Sequence, residues 1–487
     1  MNNEKKIGYK IALKASALFG GVQVFEIILK IIKQKLLALW LGSFGFGIIG
    51  LFTTATNLIS SITNLGLQSS AVREIAFANG KNDEKLLSKT IKAINRWVLV
   101  TGIIGALLTI FLSSLISQWL FESSLYVVSI ILLSSVVLLT GIWNQQQSIL
   151  QGTRNLKLLV RAGIFGSVAS FACSVPLLYF FREDGIHWSI IVAALASTVV
   201  TYLYAKRVKL VKIQQTPKES FVLGLNAVKL GLAMSITAIV ANLIEFILKS
   251  YISGSGGIED VGLYAAGWSI NAQYLGLIFT AMAKDYYPRL SQFSSDNTVA
   301  GKLVNEQSEI AILLLAPLII IMVVFISFFV NLIYSIEFLA ATELIKWLLI
   351  GSLFKAGSWG LSFIFLAKGD SKTFLFNELG INLFILPLYM LGYNFYGLVG
   401  IGYAFTINYI LYLLLLTIVA YKKYGITYTW TYWKLFIILM TLILIYPIGE
   451  VLWDASYVTG GFLIVIIGTY CLYGLNNRIG LTSFFIK

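Results

Sequence analysis

Two glutamate–lysine pairs at i, i+4 spacing, Glu26 with Lys30 and Glu245 with Lys249, stand inside strongly apolar stretches. On a helix this spacing puts both charges on one face, with the acid N-terminal to the base, which is the favourable order. Charges within apolar helices are costly, which leaves two readings. Either each pair neutralises itself while the lysine stem reaches the interface, or the pair faces a polar cavity that holds an ion or an anion. Lys346 and Lys355 share a third apolar stretch and Glu378 lies in a fourth. Lys355 falls about thirteen residues into its helix, or about 20 Å at about 1.5 Å per residue, too deep to reach the interface. Ammonium groups so placed would bind an anionic group, a role assigned to Lys355, Lys30, Lys249 and Lys346. Glu26, Glu245 and Glu378 are the candidates for ion coupling. Lys33 and Lys35 read as interfacial, and Arg161 stands at the position matching Glu378 in an internal repeat described below.

Bond-making chemistry has little to work with. The single histidine, His187, stands in a short connector beside Arg182, Glu183 and Asp184. Without a second histidine there is neither a nucleophilic triad nor a zinc-type cluster. Cys173 and Cys471 both lie in apolar stretches, far apart, and read as small core residues. The Gly20-Gly21 step and the glycines from Gly254 to Gly257 follow no phosphate-cradling pattern. No catalytic residue, metal or cofactor is expected.

The elements that carry these charges are set by composition. Of 487 residues, 58% are hydrophobic and 12% charged, with a mean hydropathy of +0.84, outside the range of water-soluble domains. A bilayer crossing takes roughly 20 apolar residues. On that template the predicted spans are 12–34, 45–70, 97–120, 126–148, 162–181, 188–205, 226–251, 260–283, 309–332, 342–367, 373–393, 397–420, 435–453 and 459–475. The fold class is therefore an all-α integral membrane protein of about fourteen transmembrane helices. Lys and Arg gather at 5–14, 73–96, 154–161, 206–218, 284–302, 368–372, 422–434 and 478–487, which together hold 28 of the 36. The intervening connectors 119–126, 253–260 and 393–397 hold none. That alternation places both termini in the cytoplasm. It also explains the net charge of +14 without nucleic acid, since the cations are dispersed between apolar runs. The basic start of the chain lacks a cleavage site, so the first apolar stretch stays as a helix.

The chain repeats. Glu26-Ile-Ile-Leu-Lys30 recurs as Glu245-Phe-Ile-Leu-Lys249, each followed by a Gly-Leu-aromatic step, and Gln151-Gly152 to Gly163-Ile164 recurs as Lys368-Gly369 to Gly380-Ile381. The offsets are 219 and 217 residues. Six spans per repeat is even, so both halves enter the membrane in one orientation, the parallel-repeat plan of many secondary transporters with a substrate path between halves. This gives a six-helix lobe at 1–218, its repeat at 219–424, and two additional helices with a tail at 425–487.

Several stretches are similar to one family. They are Leu65-Gly-Leu-Gln-Ser-Ser-Ala-Val-Arg-Glu-Ile-Ala76, Val261-Gly-Leu-Tyr-Ala-Ala-Gly267, Pro288-Arg-Leu-Ser291, and the run from Phe338 through Lys355 to Gly369. The chain resembles the Wzx-type O-antigen and polysaccharide lipid flippases of the multidrug/oligosaccharidyl-lipid/polysaccharide (MOP) exporter superfamily. The resemblance implies alternating-access translocation of an undecaprenyl-pyrophosphate-linked oligosaccharide from the cytoplasmic to the outer leaflet of a bacterial inner membrane. It also implies a cationic cavity for the anionic head, and as partners the lipid-linked substrate, membrane lipids, a polysaccharide polymerase and a chain-length regulator. Three alternatives stay open: a lipid II flippase, a drug/cation antiporter of the same superfamily, and a membrane polysaccharide polymerase. The antiporter calls for carboxylates to dominate the cavity, whereas here lysines do. The polymerase calls for a large outward loop, which no connector offers.

Overall fold

The computed structural model describes residues 2–452 and 457–479; Lys487, counted above among the cytoplasmic cations, lies outside the described residues with the rest of the tail. All regular structure among them is helical. The helices are α1 (Asn2–Thr63), α2 (Leu67–Gly80), α3 (Glu84–Phe111), α4 (Ser113–Phe121), α5 (Val127–Gly152), α6 (Leu156–Phe181), α7 (Ile186–Ala205) and α8 (Pro217–Ile270). They continue as α9 (Gly276–Gln292), α10 (Asn297–Val324), α11 (Ile326–Ile333), α12 (Thr342–Ala367), α13 (Ser371–Tyr424), α14 (Trp430–Leu452) and α15 (Tyr457–Ile479). Ten helical stretches are long and apolar enough to cross a membrane. Four of these run 41 to 54 residues, about twice what a bilayer needs.

Three of the long helices break at one glycine each: Gly42 in α1, Gly257 in α8 and Gly397 in α13, all at positive φ. The connectors expected at 253–260 and 393–397 are thus helical apart from one residue. Glycine suits such a break because a left-handed backbone costs an L-residue with a side chain about 1–2 kcal/mol. In α13 the arms on either side of Gly397 also touch, since a Cβ on Gly400 would lie 1.8 Å from the Gly392 carbonyl. Sequence reading also joins two elements that the backbone separates. Leu65 and Gly66 take positive φ, ending α1 and starting the amphipathic α2.

Backbone signals recur at one spacing. Gly42 and Gly257, Arg154 and Gly369, and Arg182 and Gly397 take positive φ and stand 215 residues apart in each pair. Asp83 and Asp296, 213 apart, each accept bonds from the backbone N–H groups two and three residues on, capping α3 and α10.

The chain folds as two compact units, one up to Gly262 and one from Leu263. In the first, a cluster of Leu67, Ala71, Ile75, Ile91, Ile94, Val98 and Ile149 joins α2, α3 and α5. In the second, α12 is the hub: 72% of its apolar window is buried, against 17% for α6 with α7. Phe111, Leu125, Phe376 and Phe395 are three-quarters or more exposed, as side chains facing lipid would be. Cys471 is buried, but Cys173 is exposed on α6, so it is no core residue. His187 sits in the first turn of α7, its Nδ1 3.4 Å from Ser129 Oγ.

Asp370, which caps α13, ties the turn after α12 to the far end of α13. Lys423 Nζ donates to its Oδ2 at 2.8 Å, Tyr424 Oη at 2.7 Å and Thr373 Oγ1 at 2.8 Å. Lys423 first, then the two hydroxyls, hold this carboxyl well below the usual carboxylate range. A depressed folded value stabilises the fold above the unfolded value and is lost as pH falls towards the folded one. Asp370→Asn should therefore lower the thermal midpoint by a constant amount from neutral pH down to about 4, and the gap from wild type should narrow in stronger acid.

Candidate functional site

The buried lysines have different partners. Lys249 of α8, 6% exposed, donates to Glu245 Oε1 at 2.7 Å and to Thr54 Oγ1 on α1 at 2.8 Å. Its charge is met one helical turn away, as i, i+4 spacing allows. The matching pair in α1 is built differently. Among the described residues Lys30 is exposed with no ion pair, while Glu26 is half-buried with its Oε1 3.5 Å from Ser167 Oγ on α6. Seven residues on, Lys33 turns inward rather than to an interface and donates to the buried Ser174 Oγ at 3.1 Å, again on α6.

In the second unit, Lys346 of α12 is 6% exposed and lies between two acids. Its Nζ is 2.7 Å from Glu343 Oε1 one turn back and 2.6 Å from Glu450 Oε2 on α14. The group as a whole carries one excess negative charge, so it is not an anion-binding ammonium. It fixes α14 to α12, much as Arg478 Nε to Glu309 Oε2, at 2.7 Å, fixes α15 to α10.

Lys355 is the exception. It sits at the middle of α12, half-buried, and no carboxylate lies within ion-pair distance among the described residues. Its ammonium instead faces two rings, Phe279 of α9 at 5.8 Å and Tyr409 of α13 at 5.6 Å from their centroids. Aromatic faces attract a cation by about 0.5–2 kcal/mol without neutralising it. One turn before it, Ser352 Oγ donates to Asn271 Oδ1 at 2.8 Å. Asn271 begins a π-helical turn, Asn271–Leu275, a distortion that often marks functional positions in helices. Glu378 of α13 lies within electrostatic reach of Lys355 and accepts a 2.5 Å bond from Tyr412 Oη.

Polar atoms near this cluster are left over. Asn377 Nδ2 beside Glu378, Asn408 Oδ1 beside Tyr409, and Tyr389 Oη are buried without a hydrogen-bond partner. Unpaired buried polar atoms are uncommon and mark places where a ligand or a second arrangement would satisfy them.

Of the residues singled out from sequence, Lys355 and Glu378 come together here and Glu245 pairs with Lys249. Lys346 forms a separate acid-rich group, and Lys30 and Glu26 stand apart on α1. Arg161, placed opposite Glu378 by the repeat, is exposed on α6. Sequence reasoning missed Phe279, Asn271, Tyr409 and Tyr412. The last two sit at i, i+3 on α13, a faint signal in a chain with 25 tyrosines. They reach Glu378 and Lys355 only through helix packing.

Removing the Lys346 ammonium should expose the repulsion it suppresses. Lys346→Met is expected to lower stability by about 2 kcal/mol, less than orphaning a fully buried charge because both acids are partly exposed. Pairing it with Glu450→Gln should recover part of that loss, as read by thermal unfolding in detergent.

Comparison with known proteins agrees with this architecture. Residues 36–343 match the family described as polysaccharide biosynthesis protein. Two curated relatives, the lipid III flippases of Escherichia coli (strain K12) and Shigella flexneri, are 20% identical over 409 residues, covering 82% of this chain and 95% of theirs. Among solved structures, a multidrug resistance MATE family transporter of the MOP superfamily, inward-facing, superposes with a TM-score of 0.68 at 16% identity, over 83% of this chain and 94% of its own. The lipid II flippase MurJ, inward closed, gives 0.64 at 15% identity over 96% and 99%. These relatives are flippases and transporters, and this chain, with ten helical stretches among its described residues long and apolar enough to cross a membrane, is a multi-pass membrane protein. The matched segment spans well over half of the sequence, and the chain belongs to the polysaccharide biosynthesis protein family, with the fold of the MOP-superfamily transporters.

Proposed function

We propose that this protein is a flippase for an undecaprenyl-pyrophosphate-linked oligosaccharide, an O-antigen or similar repeat unit, moving it from the cytoplasmic to the outer leaflet of a bacterial inner membrane. The observation that carries the reading is Lys355, a half-buried ammonium at mid-helix that faces two aromatic rings and, among the described residues, has no carboxylate within ion-pair distance. A diphosphate would supply the missing negative charge, and the two rings offer flat faces to a sugar. Lys30 and Lys249 lie in the first unit and are not counted with Lys355: the Lys249 charge is already met by Glu245, as that of Lys346 is by its two acids. Glu378 is the coupling carboxylate: near Lys355 and bonded to Tyr412, it can exchange a proton or ion as the anion arrives. Glu26 and Glu245 are further coupling candidates.

The topology is part of the proposal. The four long apolar stretches, counted as two crossings each, turn ten into fourteen. With fourteen crossings both termini share a side, and the Lys and Arg distribution favours the cytoplasm. The recurring backbone signals 213–215 residues apart support a duplication, with lobes at 1–218 and 219–424 followed by α14 and α15. A polysaccharide polymerase and a chain-length regulator would act on the delivered lipid.

The test is translocation of a fluorescent undecaprenyl-pyrophosphate oligosaccharide in proteoliposomes holding only this protein, run beside uptake of a lipophilic cation. Lipid-linked sugar should move and the cation should not. Lys355→Ala should cut the rate about tenfold or more, the loss of one charge-assisted contact of about 1.5–3 kcal/mol, and Lys355→Arg should keep part of it. Full activity of the Ala variant at equal protein would remove Lys355 from the site, and cation uptake alone would point to antiport.

A further inference from the structure

Between α7 and α8 the chain runs from 206 to 216 without helix or strand, yet one face of α3 holds it closely. Ser88, Lys92 and Arg96 are spaced four residues apart, so they stack along a single stripe of that helix. Val211 N–H donates to Ser88 Oγ at 3.0 Å, and Lys92 Nζ donates to the Ile213 carbonyl at 3.2 Å. Arg96 donates to the carbonyls of Gln215 and Thr216, at 3.0 and 2.7 Å, and to Ser220 Oγ at 2.5 Å. Val208 turns inward against Leu150, Ala162 and Ala205.

The holding contacts use main-chain atoms, which leaves most of the segment's own side chains outside. Lys206, Arg207, Lys209 and Lys212 are exposed, with Leu210 and Val211 exposed between them. No acidic residue occurs between Ala205 and Glu219. Lys209 lines a recess together with Asp83 and Glu84. Lys206, Arg207 and Lys212 have no carboxylate within ion-pair distance among the described residues. The preceding turn of α7 exposes Tyr202 and Leu203, as a lipid-facing helix end does, and the Arg207 guanidinium lies 4.7 Å from the Tyr204 ring centroid. Cations interleaved with apolar side chains at the end of a membrane helix fit one kind of surface, the anionic headgroup zone of a bilayer.

We propose that residues 206–212 form a binding ribbon for anionic phospholipid headgroups, held flat by α3, with Lys206, Arg207 and Lys212 as its phosphate contacts. The ribbon joins the two repeats, so headgroup binding would anchor this junction at the membrane surface.

The experiment uses the full-length protein in phosphatidylcholine nanodiscs doped with a phosphatidylglycerol that carries a photoreactive headgroup, with the labelled peptides mapped. Label should concentrate on 206–213 and be competed by unlabelled phosphatidylglycerol, but not by phosphatidylcholine or inorganic phosphate. The triple variant Lys206→Gln/Arg207→Gln/Lys212→Gln should lower that labelling about fivefold or more, the attraction of at least one surface cation, and leave other loops unchanged. Arg96→Ala, which releases the ribbon without touching its cations, should lower it too. Labelling spread evenly over all basic loops, or unchanged in the triple variant, would overturn the proposal. Competition by inorganic phosphate in the wild type would also overturn it, assigning the cations to a free anion.

Discussion

An ammonium group buried among apolar helices must be compensated, and the differing ways this chain does so organise its structure. Taking a charge out of water costs several kcal/mol per ion even after relaxation, and a partner must recover it. Lys249 is met by a carboxylate on its own helix and a threonine on α1. Lys346 is met by two carboxylates on two helices. Lys33 makes do with a serine. Lys355 has two aromatic faces and, beyond ion-pair distance, the Glu378 carboxylate. The first two use their charge to fix helices in place. The last keeps a field that an anion can still satisfy, so charge neutralisation separates structural lysines from a candidate site.

Much of this plan is visible in the residues. Runs of apolar side chains reveal the spans because hydrocarbon admits no exposed backbone, which leaves each crossing a helix of nearly fixed length. The i, i+4 spacing of Glu245 and Lys249 foretells their contact because both lie on one helix. Other pairs are hidden because they are made by packing. Glu450 is 104 residues from Lys346, Tyr412 is 34 from Glu378, and nothing local in the sequence brings either pair together. The same spacing rule fails at Glu26 and Lys30, where the acid turns to Ser167 on a neighbouring helix. Spacing states what a helix permits; neighbouring helices decide what is used.

The turns were harder to read than the spans. A glycine at positive φ breaks the helix within one residue, so at Gly257 and Gly397 the break is narrower than the connector that the sequence announces there. Sequence reading assigns several residues to such connectors, and the helix in fact continues up to the break. The short α2, α4 and α11 escape for the opposite reason. Each is too short for the template of a crossing, and α2 mixes polar with apolar residues, as a helix at an interface would.

Placement of the unneutralised cation has a consequence for how the second unit can work. α12 is the most buried of the apolar stretches, so its backbone has little freedom to move by itself. Lys346 binds it to α14 near one end, while Tyr286, from α9, donates to the Gly360 carbonyl at 2.8 Å towards the other. Lys355 lies between these two fixed points. The softer partners are those around it: the π-helical turn at Asn271–Leu275, and α13, which carries Tyr409, Tyr412 and Glu378 and contains Pro387 and the Gly397 break. Proline and glycine within a helix are common places for it to bend. Within this unit α12 is the rigid element that carries the ammonium, and α13 and the π-turn are the elements around it whose helices are already broken or distorted.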